Sequence, residues 1–302
     1  MAEKTGLVLE GGGMRGLYSA GVMDVMMEHG VSVDGLIGVS AGACIGASFA
    51  SHQIGRSIRY YKNYAGDKRF MSWENWLRTG DFVGVEFSYH EIPEVLDRYD
   101  YEAFDKNPME YYVVCTNLET GEAEYIRIHD MLEEIDYIRA SATLPYVSHP
   151  VAFRGKLLMD GGCADSIPWE WFRNKGFTRQ VVITTRHRGY RKEAGAWWMP
   201  GMYYRKYPAF AKALRLRFAR YNRSLEKLEK ILRARKGTIK VITGHTGWTD
   251  DLDFVFRHRT EICKPFTKKY SDPEAPYDGY IEDDDTEEKA RTILLAKKRE
   301  AR

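Results

Sequence analysis

Ser40 is the residue whose setting most favours chemistry. It is the central residue of GVSAG, a GxSxG pattern that follows an apolar segment and precedes a run of small residues. At a strand-to-helix turn this pattern holds a serine hydroxyl exposed at a sheet edge, and Gly38 and Gly42 remove side chains that would clash. We therefore predict that Ser40 is a nucleophile on a strained turn. The alternative is a serine that only caps the following helix.

A glycine-rich loop, GGGMRG, begins at Gly11. Gly11, Gly13 and Gly16 fit the fingerprint of dinucleotide-binding proteins, but that fingerprint requires an acidic residue at the end of the second strand. This chain has Ser40 there. The N–H groups of Gly11, Gly12 and Gly13 can instead point at a tetrahedral oxyanion. Because the loop lies one strand away from the predicted nucleophile, we favour an oxyanion hole.

A serine nucleophile needs a general base, which is usually a histidine. Most of the eight histidines lie in polar stretches typical of solvated surface positions, and we keep only His149 as a reserve base. Asp160 is the better candidate, since it ends a short apolar strand and enters a turn at Gly161 and Gly162, where sites of α/β proteins gather. An aspartate there can also serve only to hydrogen-bond its own turn.

The elements that must position these residues are short and buried. An apolar strand, a sharp turn and a closely packed helix are the parts of an α/β sandwich. We predict helices over 16–29 and 131–140. Strands are predicted over 5–9, 33–39, 111–117, 122–128, 156–160, 181–185 and 239–243.

Composition sets limits on the class of protein. The 302 residues are 44% hydrophobic and 29% charged, which is ordinary for a globular chain with a sizeable core. The net charge of +2 gives no reason to expect a nucleic-acid partner, and four widely spaced cysteines suggest reduced thiols rather than a metal site. Because we find neither a secretory signal nor a continuous apolar run of membrane-spanning length, we expect a cytoplasmic protein.

The ordered motifs GGGMRG, GVSAG and DGG resemble those of patatin-like phospholipases. Two further stretches are similar to segments of that family: RASATLP at 139–145, and DGGCADSIP at 160–168, where Ser-Ile replaces an Asn common before the proline. The resemblance covers roughly residues 6–185, and the compact core suggests the bacterial branch. It implies a three-layer α/β/α sandwich with a mostly parallel central sheet.

The resemblance also implies roles for the candidate residues. Ser40 would be the acyl-accepting nucleophile, and Asp160 would be the general base bonded directly to its hydroxyl. Gly11, Gly12 and Gly13 would supply the oxyanion N–H groups, with Arg15 fixing that loop. An aspartate has a reference pKa of about 3.9, so it needs a dry, apolar setting that raises its pKa before it is an effective base at neutral pH.

A basic, aromatic segment occupies residues 186–236, with sixteen Lys and Arg against three Glu. An apolar stripe at helical spacing runs through it from Phe210 to Leu232. One interpretation is a long helix packed on the core with a solvated basic face. The other is an interfacial helix on anionic lipid, preceded by Trp197 and Trp198. We assign residues 1–250 to the hydrolase core and 251–302 to a C-terminal extension with an acidic stretch at 271–288 and a terminal helix.

We predict a serine hydrolase that cleaves carboxylic ester bonds of lipids and needs neither a metal nor an organic cofactor. Two alternatives remain: a thioesterase or short-chain esterase, and a membrane- or lipid-binding module with little turnover. Peripheral contact with the anionic inner face of a membrane is a further hypothesis. The Trp- and Gly-rich stretch 67–86 is where we would look for a lid.

Overall fold

A computed structural model describes residues 3–233 and 238–244, and shows an eight-stranded sheet with helices around it. The strands are β1 (Thr5–Leu9), β2 (Gly35–Val39), β3 (Glu110–Asn117), β4 (Ala123–Ile128), β5 (Val151–Phe153), β6 (Lys156–Asp160), β7 (Arg179–Thr184) and β8 (Ile239–Thr243). The α-helices are α1 (Gly16–Glu28), α2 (Ala41–Ala50), α3 (Arg56–Tyr64), α4 (Trp73–Thr79), α5 (Tyr101–Lys106), α6 (Ile135–Ser141), α7 (Trp169–Asn174), α8 (Met199–Tyr203) and α9 (Pro208–Arg233). A π-helical segment spans Phe87–Leu96.

The strand order is β5-β6-β3-β2-β1-β7-β8, with β4 paired to β3 outside this path. The pairs among β3, β2, β1, β7 and β8 are parallel, whereas β4, β5 and β6 join by antiparallel pairing. The parallel strands are almost entirely buried, as expected for strands covered on both faces.

The core lies on both faces of the sheet. Successive side chains of a strand point to opposite faces, and in β1 Leu7 and Leu9 pack into the cluster under α1, α2, α3 and α6. Val8 packs into the cluster on the other face, where residues of α7 and α9 cover the sheet. This arrangement confirms the predicted three-layer α/β/α sandwich with a mostly parallel central sheet.

The predicted apolar stripe of the basic segment lies on α9. Tyr221, Leu228 and Leu232 are buried against the sheet, and Phe210 packs with a smaller cluster around Met159. The stripe therefore packs on the core, as the first of the two interpretations requires. The basic side chains of the same helix, such as Arg220 and Arg223, remain exposed.

The described part of the chain ends before the predicted C-terminal extension. Residues 251–302, with the acidic stretch 271–288 and the terminal helix, lie outside the described residues. Among the helices that are described, we find none with the length and apolar character needed to cross a bilayer.

Candidate active site

The register of β3 brings the two candidate catalytic residues together. Val114 of β3 pairs with Val39 at the end of β2, and the next residue, Cys115, pairs with Asp160 at the end of β6. Since β2 runs parallel to β3 and β6 runs antiparallel to it, the carboxyl ends of β2 and β6 lie at the same level on either side of β3. Ser40 follows Val39 directly, and its hydroxyl hydrogen-bonds the carboxyl of Asp160.

Ser40 occupies a strained turn. Its φ is 54° and its ψ is −124°, a combination that L-residues rarely adopt. A Cβ on Gly38 would lie 2.5 Å from the carbonyl oxygen of Gly42, and a Cβ on Gly42 would lie 2.7 Å from that of Leu9. The Ser40 side chain makes no capping hydrogen bond to α2, so the structure gives no support to the helix-cap alternative.

The turn is fixed by Ser141, a residue without a predicted role. The backbone N–H of Ser40 donates to Oγ of Ser141 over 2.9 Å, and Ser141 in turn donates to the carbonyl oxygen of Val114 over 2.6 Å. Ser141 ends α6, within the RASATLP segment of the family resemblance. That resemblance was the only sequence signal for it.

The glycine loop packs directly against the turn. A Cβ on Gly11 would lie 2.8 Å from Cβ of Ser40, and one on Gly12 would lie 2.5 Å from Oγ1 of Thr185. Gly13 has a φ of +58°, the left-handed region that favours glycine. Among the described residues, the backbone N–H groups of these three glycines find no acceptor. They are available to an oxyanion.

The carboxyl of Asp160 is buried, and nearby hydrogen bonds and positive charges offset only part of the effect of that burial. Its Oδ1 accepts a hydrogen bond of 2.7 Å from the N–H of Gly162. Burial raises the pKa of its carboxyl, while the charge of Arg217, the Ser40 hydroxyl, the Gly162 N–H and the charge of Lys192 lower it in part. A Cβ on Gly161 would lie 2.0 Å from the carbonyl oxygen of Val114. Only glycine at this position therefore allows the turn to pass under β3.

Arg217 of α9, rather than Arg15, is the guanidinium close to this carboxylate. A Cβ on Gly162 would lie 3.0 Å from Oδ1 of Asp160 and 3.2 Å from Nη2 of Arg217. Arg15 directly follows the glycine loop, and its backbone N–H donates to the carbonyl oxygen of Gly12. Its charge acts on Glu10 instead. The role of Arg15 in fixing the loop stays a prediction, and no sequence motif indicated Arg217.

An apolar cavity of about 130 Å³ begins at Ser40. Its wall is built by α2, α3, the π-helical segment and α6, together with Phe70, Met71 and Val83 from the stretch that we considered as a lid. The lining side chains are mostly aromatic or aliphatic, among them Tyr60, Tyr61, Tyr89, Ile92, Ile135 and Leu144. The stretch 67–86 thus contributes a wall of the cavity.

No histidine of the described chain lines this cavity. The reserve base His149 is largely exposed, and its Nδ1 lies 3.6 Å from Oδ2 of Asp81. Cys44 lies one helical turn after Ser40 and does line the cavity. Burial raises the pKa of its thiol to about 12, so it is protonated at neutral pH and a poor nucleophile.

Comparison with known families identifies the fold family. The family model described as patatin-like phospholipase matches residues 7–172, more than half of the chain. The chain belongs to the patatin-like phospholipase family. This confirms the resemblance drawn from the glycine loop, the GxSxG turn and the DGG turn, all of which lie inside the matched range.

Individual relatives are more distant. The lysophospholipase NTE1 of Scheffersomyces stipitis is 30% identical over 186 residues, which are 60% of this chain and 12% of that protein. NTE1 of Cryptococcus neoformans var. neoformans serotype D is 27% identical over 209 residues, which are 65% and 12% of the two chains. This chain spans about one eighth of the length of these relatives. Among solved structures, VipD from Legionella pneumophila matches with 12% identity and a TM-score of 0.43, over 88% of this chain and 67% of that chain.

Proposed function

We propose that this protein is a serine hydrolase that cleaves carboxylic ester bonds of lipids through a dyad of Ser40 and Asp160. The observation behind the proposal is the placement of a strained serine beside a buried aspartate at the mouth of an apolar cavity. Membership of the patatin-like phospholipase family and the similarity to proteins named lysophospholipases support the same substrate class.

The dyad performs acyl transfer in two half-reactions. Asp160 accepts the proton of the Ser40 hydroxyl while Oγ attacks the ester carbonyl, and the N–H groups of Gly11, Gly12 and Gly13 stabilise the resulting oxyanion. When the tetrahedral intermediate collapses, the C–O bond to the alcohol breaks and Asp160 returns the proton to the leaving oxygen. Asp160 then deprotonates a water molecule, which attacks the acyl-Ser40 ester and releases the fatty acid.

The buried position of Asp160 is what makes a carboxylate useful as a base. In water an aspartate is too weak a base to activate a hydroxyl at neutral pH. Burial raises its pKa and so increases its tendency to accept the proton. The positive charge of Arg217 limits that rise in pKa. The limit matters because a carboxyl that stayed protonated at neutral pH could not act as a base.

The apolar cavity is the observation that favours a substrate with a long acyl chain over one with a short acyl chain. It starts at Ser40 and continues along α2 past Cys44 to Ala47, between mostly aromatic and aliphatic side chains. Each methylene buried there contributes about 0.8 kcal/mol. A short-chain esterase or a thioesterase would use the same dyad, and a series of substrates with graded acyl chains and with oxygen or sulfur leaving groups separates these activities.

We also propose peripheral contact with an anionic membrane through an aromatic surface formed by Trp197, Trp198, Met202 and Tyr203. These side chains are 75%, 53%, 60% and 57% exposed. Arg215 of α9 donates to the carbonyl oxygen of Trp197 over 2.8 Å, so a cationic helix face adjoins the surface. Exposed Trp and Tyr beside cationic side chains are suited to the headgroup level of an anionic membrane.

Hydrolysis of p-nitrophenyl esters with acyl chains from acetyl to palmitoyl tests the catalytic proposal. We expect Ser40→Ala and Asp160→Asn each to lower kcat by at least about a thousandfold, because removing one member of a catalytic unit costs nearly as much as removing the whole unit. Asp105→Asn is the matched control, because Asp105 is exposed on α5. Full activity in Asp160→Asn with none in Ser40→Ala would refute the dyad and indicate another base. Full activity in both variants would place the reaction elsewhere.

A further inference from the structure

Four cationic side chains lie next to the dyad on the side away from the acyl cavity. This basic cluster consists of Arg15, Arg186, Lys192 and Arg217. Arg15 follows the glycine loop, and Arg186 follows Thr185, whose hydroxyl donates to the carbonyl oxygen of Gly11. Arg217 lies beside Asp160 through Gly162.

Lys192 and Arg186 are held near the site by two tyrosines. The Lys192 ammonium lies 4.5 Å from the ring centre of Tyr221, and the Arg186 guanidinium lies 4.4 Å from that of Tyr190. The two rings are themselves 6.0 Å apart. Tyr221 is one helical turn after Arg217 on α9, so the four cations surround one small region.

The cations are close enough to disfavour one another's charge. Desolvation and the charges of Arg217, Arg15 and Arg186 together lower the pKa of Lys192 to about 8, although the charge of Glu10 acts in the opposite direction. Within residues 3–233 and 238–244, none of the four forms an ion pair with a carboxylate. Nε of Arg15 and Nε of Arg217 are buried without a hydrogen-bond partner among these residues. Buried donors of this kind require an acceptor.

The nearby carboxylates do not supply that acceptor. Glu10 is buried, accepts the Thr185 N–H over 2.6 Å, and has its pKa raised by burial. Asp160 must stay free to exchange a proton with Ser40. Four cations therefore face two carboxylates, and an anion with one or two negative charges would balance the cluster.

The cluster and the cavity lie on opposite sides of Ser40. The cavity is walled by α2, α3 and α6 on one face of the sheet, whereas Arg217, Tyr221 and the segment around Lys192 belong to the side of the sheet covered by α9. An ester bound at Ser40 would thus extend its acyl chain into the cavity and its alcohol part toward the cations.

We infer that the basic cluster binds a phosphate group on the alcohol part of the acyl ester, so that the enzyme selects phosphorylated glycerol esters over neutral ones. This inference rests on the proposed ester hydrolysis. Arg and Lys side chains that converge on one region form charge-assisted hydrogen bonds to phosphate oxygens. The same region could also hold free inorganic phosphate, and the experiment must distinguish the two sources.

Two substrates that differ only in the phosphate test the inference: 1-octanoylglycerol 3-phosphate and 1-octanoylglycerol, both kept monomeric so that no lipid surface contributes. We expect the wild type to show a kcat/KM at least about tenfold higher for the phosphate ester, the effect of one or more charge-assisted hydrogen bonds. Arg186→Gln and Lys192→Gln should each reduce this preference by about tenfold, mainly through KM, and Lys192→Arg should restore much of it. Lys212→Gln is the matched control, since Lys212 is exposed on the same helix as Arg217.

The outcomes are distinct. A wild-type preference that falls in the two Gln variants but not in Lys212→Gln supports the inference, as does competitive inhibition by inorganic phosphate that weakens in the same variants. Equal kcat/KM for both esters overturns it, and with inhibition by inorganic phosphate would identify a site for the free ion only. Equal losses on both esters in the variants would assign the cations to the oxyanion instead. Hydrolysis of neither ester by the wild type would refute the proposed function itself.

Discussion

Replacing Ala47 with Leu should shorten the acyl chain that the enzyme prefers. Ala47 lines the cavity on α2, seven residues after Ser40, which is about 10 Å along a helix axis. Leu adds three carbon atoms there and displaces about three methylene groups of a bound chain. At about 0.8 kcal/mol for each methylene, the loss is about 2.4 kcal/mol, or about fiftyfold in kcat/KM.

The assay compares p-nitrophenyl palmitate with p-nitrophenyl acetate in the same mixed micelles. The palmitoyl ester should lose about fiftyfold, whereas the acetyl ester, which cannot reach Ala47, should change by less than about twofold. Ala152→Leu provides the same substitution at an exposed position of β5 and should leave both rates unchanged. The carbonyl oxygen of Ala47 can still accept the Tyr99 hydroxyl, so the variant should fold. An equal change for both esters, or none for palmitate, would show that the acyl chain does not occupy this cavity.

Three further predictions concern the dyad, the turn and the aromatic surface. Arg217→Gln removes a charge that lowers the pKa of Asp160, and because the base must be deprotonated, the acid limb of the kcat profile should move to higher pH, while Lys212→Gln leaves it in place. Gly38→Ala should lower the free energy of unfolding by about 3 kcal/mol or more in denaturant titrations, because the added Cβ would lie 2.5 Å from a backbone atom. Gly66→Ala is the control and should unfold like the wild type, since a Cβ on Gly66 meets nothing within 4 Å. Trp197→Ala with Trp198→Ala should weaken sedimentation with anionic vesicles by at least about tenfold, and unaltered binding, or an equal loss in the exposed control Val95→Ala, would argue against the aromatic surface.

The sequence predicted those parts of the fold that depend on local signals. The apolar runs at 5–9 and 156–160 are strands with the same bounds in the structure, and GVSAG is a strand-to-helix turn with Ser40 at positive φ. The strands predicted over 111–117 and 122–128 correspond to β3 and β4. These features follow from strand burial and from the steric needs of a tight turn, both of which act over a few residues.

The contact between Ser40 and Asp160 depends on information that is not local. It requires that β2 pair with the first part of β3 and that β6 pair with the last part, so that Val114 and Cys115 mark the boundary between them. No residue pattern in β6 specifies this register. Only the ordered motifs of the family related the two residues. The sequence also did not predict the part of the cavity wall formed by the π-helical segment Phe87–Leu96, because that segment has no simple sequence period.

Helix α9 shows a signal that the sequence did contain. Its apolar stripe explains why it packs on the sheet, but Arg217 lies one turn before buried Tyr221 and therefore falls on the packed face, not the solvated one. A cation on a packed face is costly unless it meets a negative charge. Here the carboxyl of Asp160 lies nearby without an ion pair, and the charge of Arg217 lowers its pKa. The same turn of helix thus fills the core through Tyr221 and lowers the pKa of the proposed base through Arg217. An arginine on the buried side of an otherwise apolar stripe therefore indicated where a second functional group should be sought.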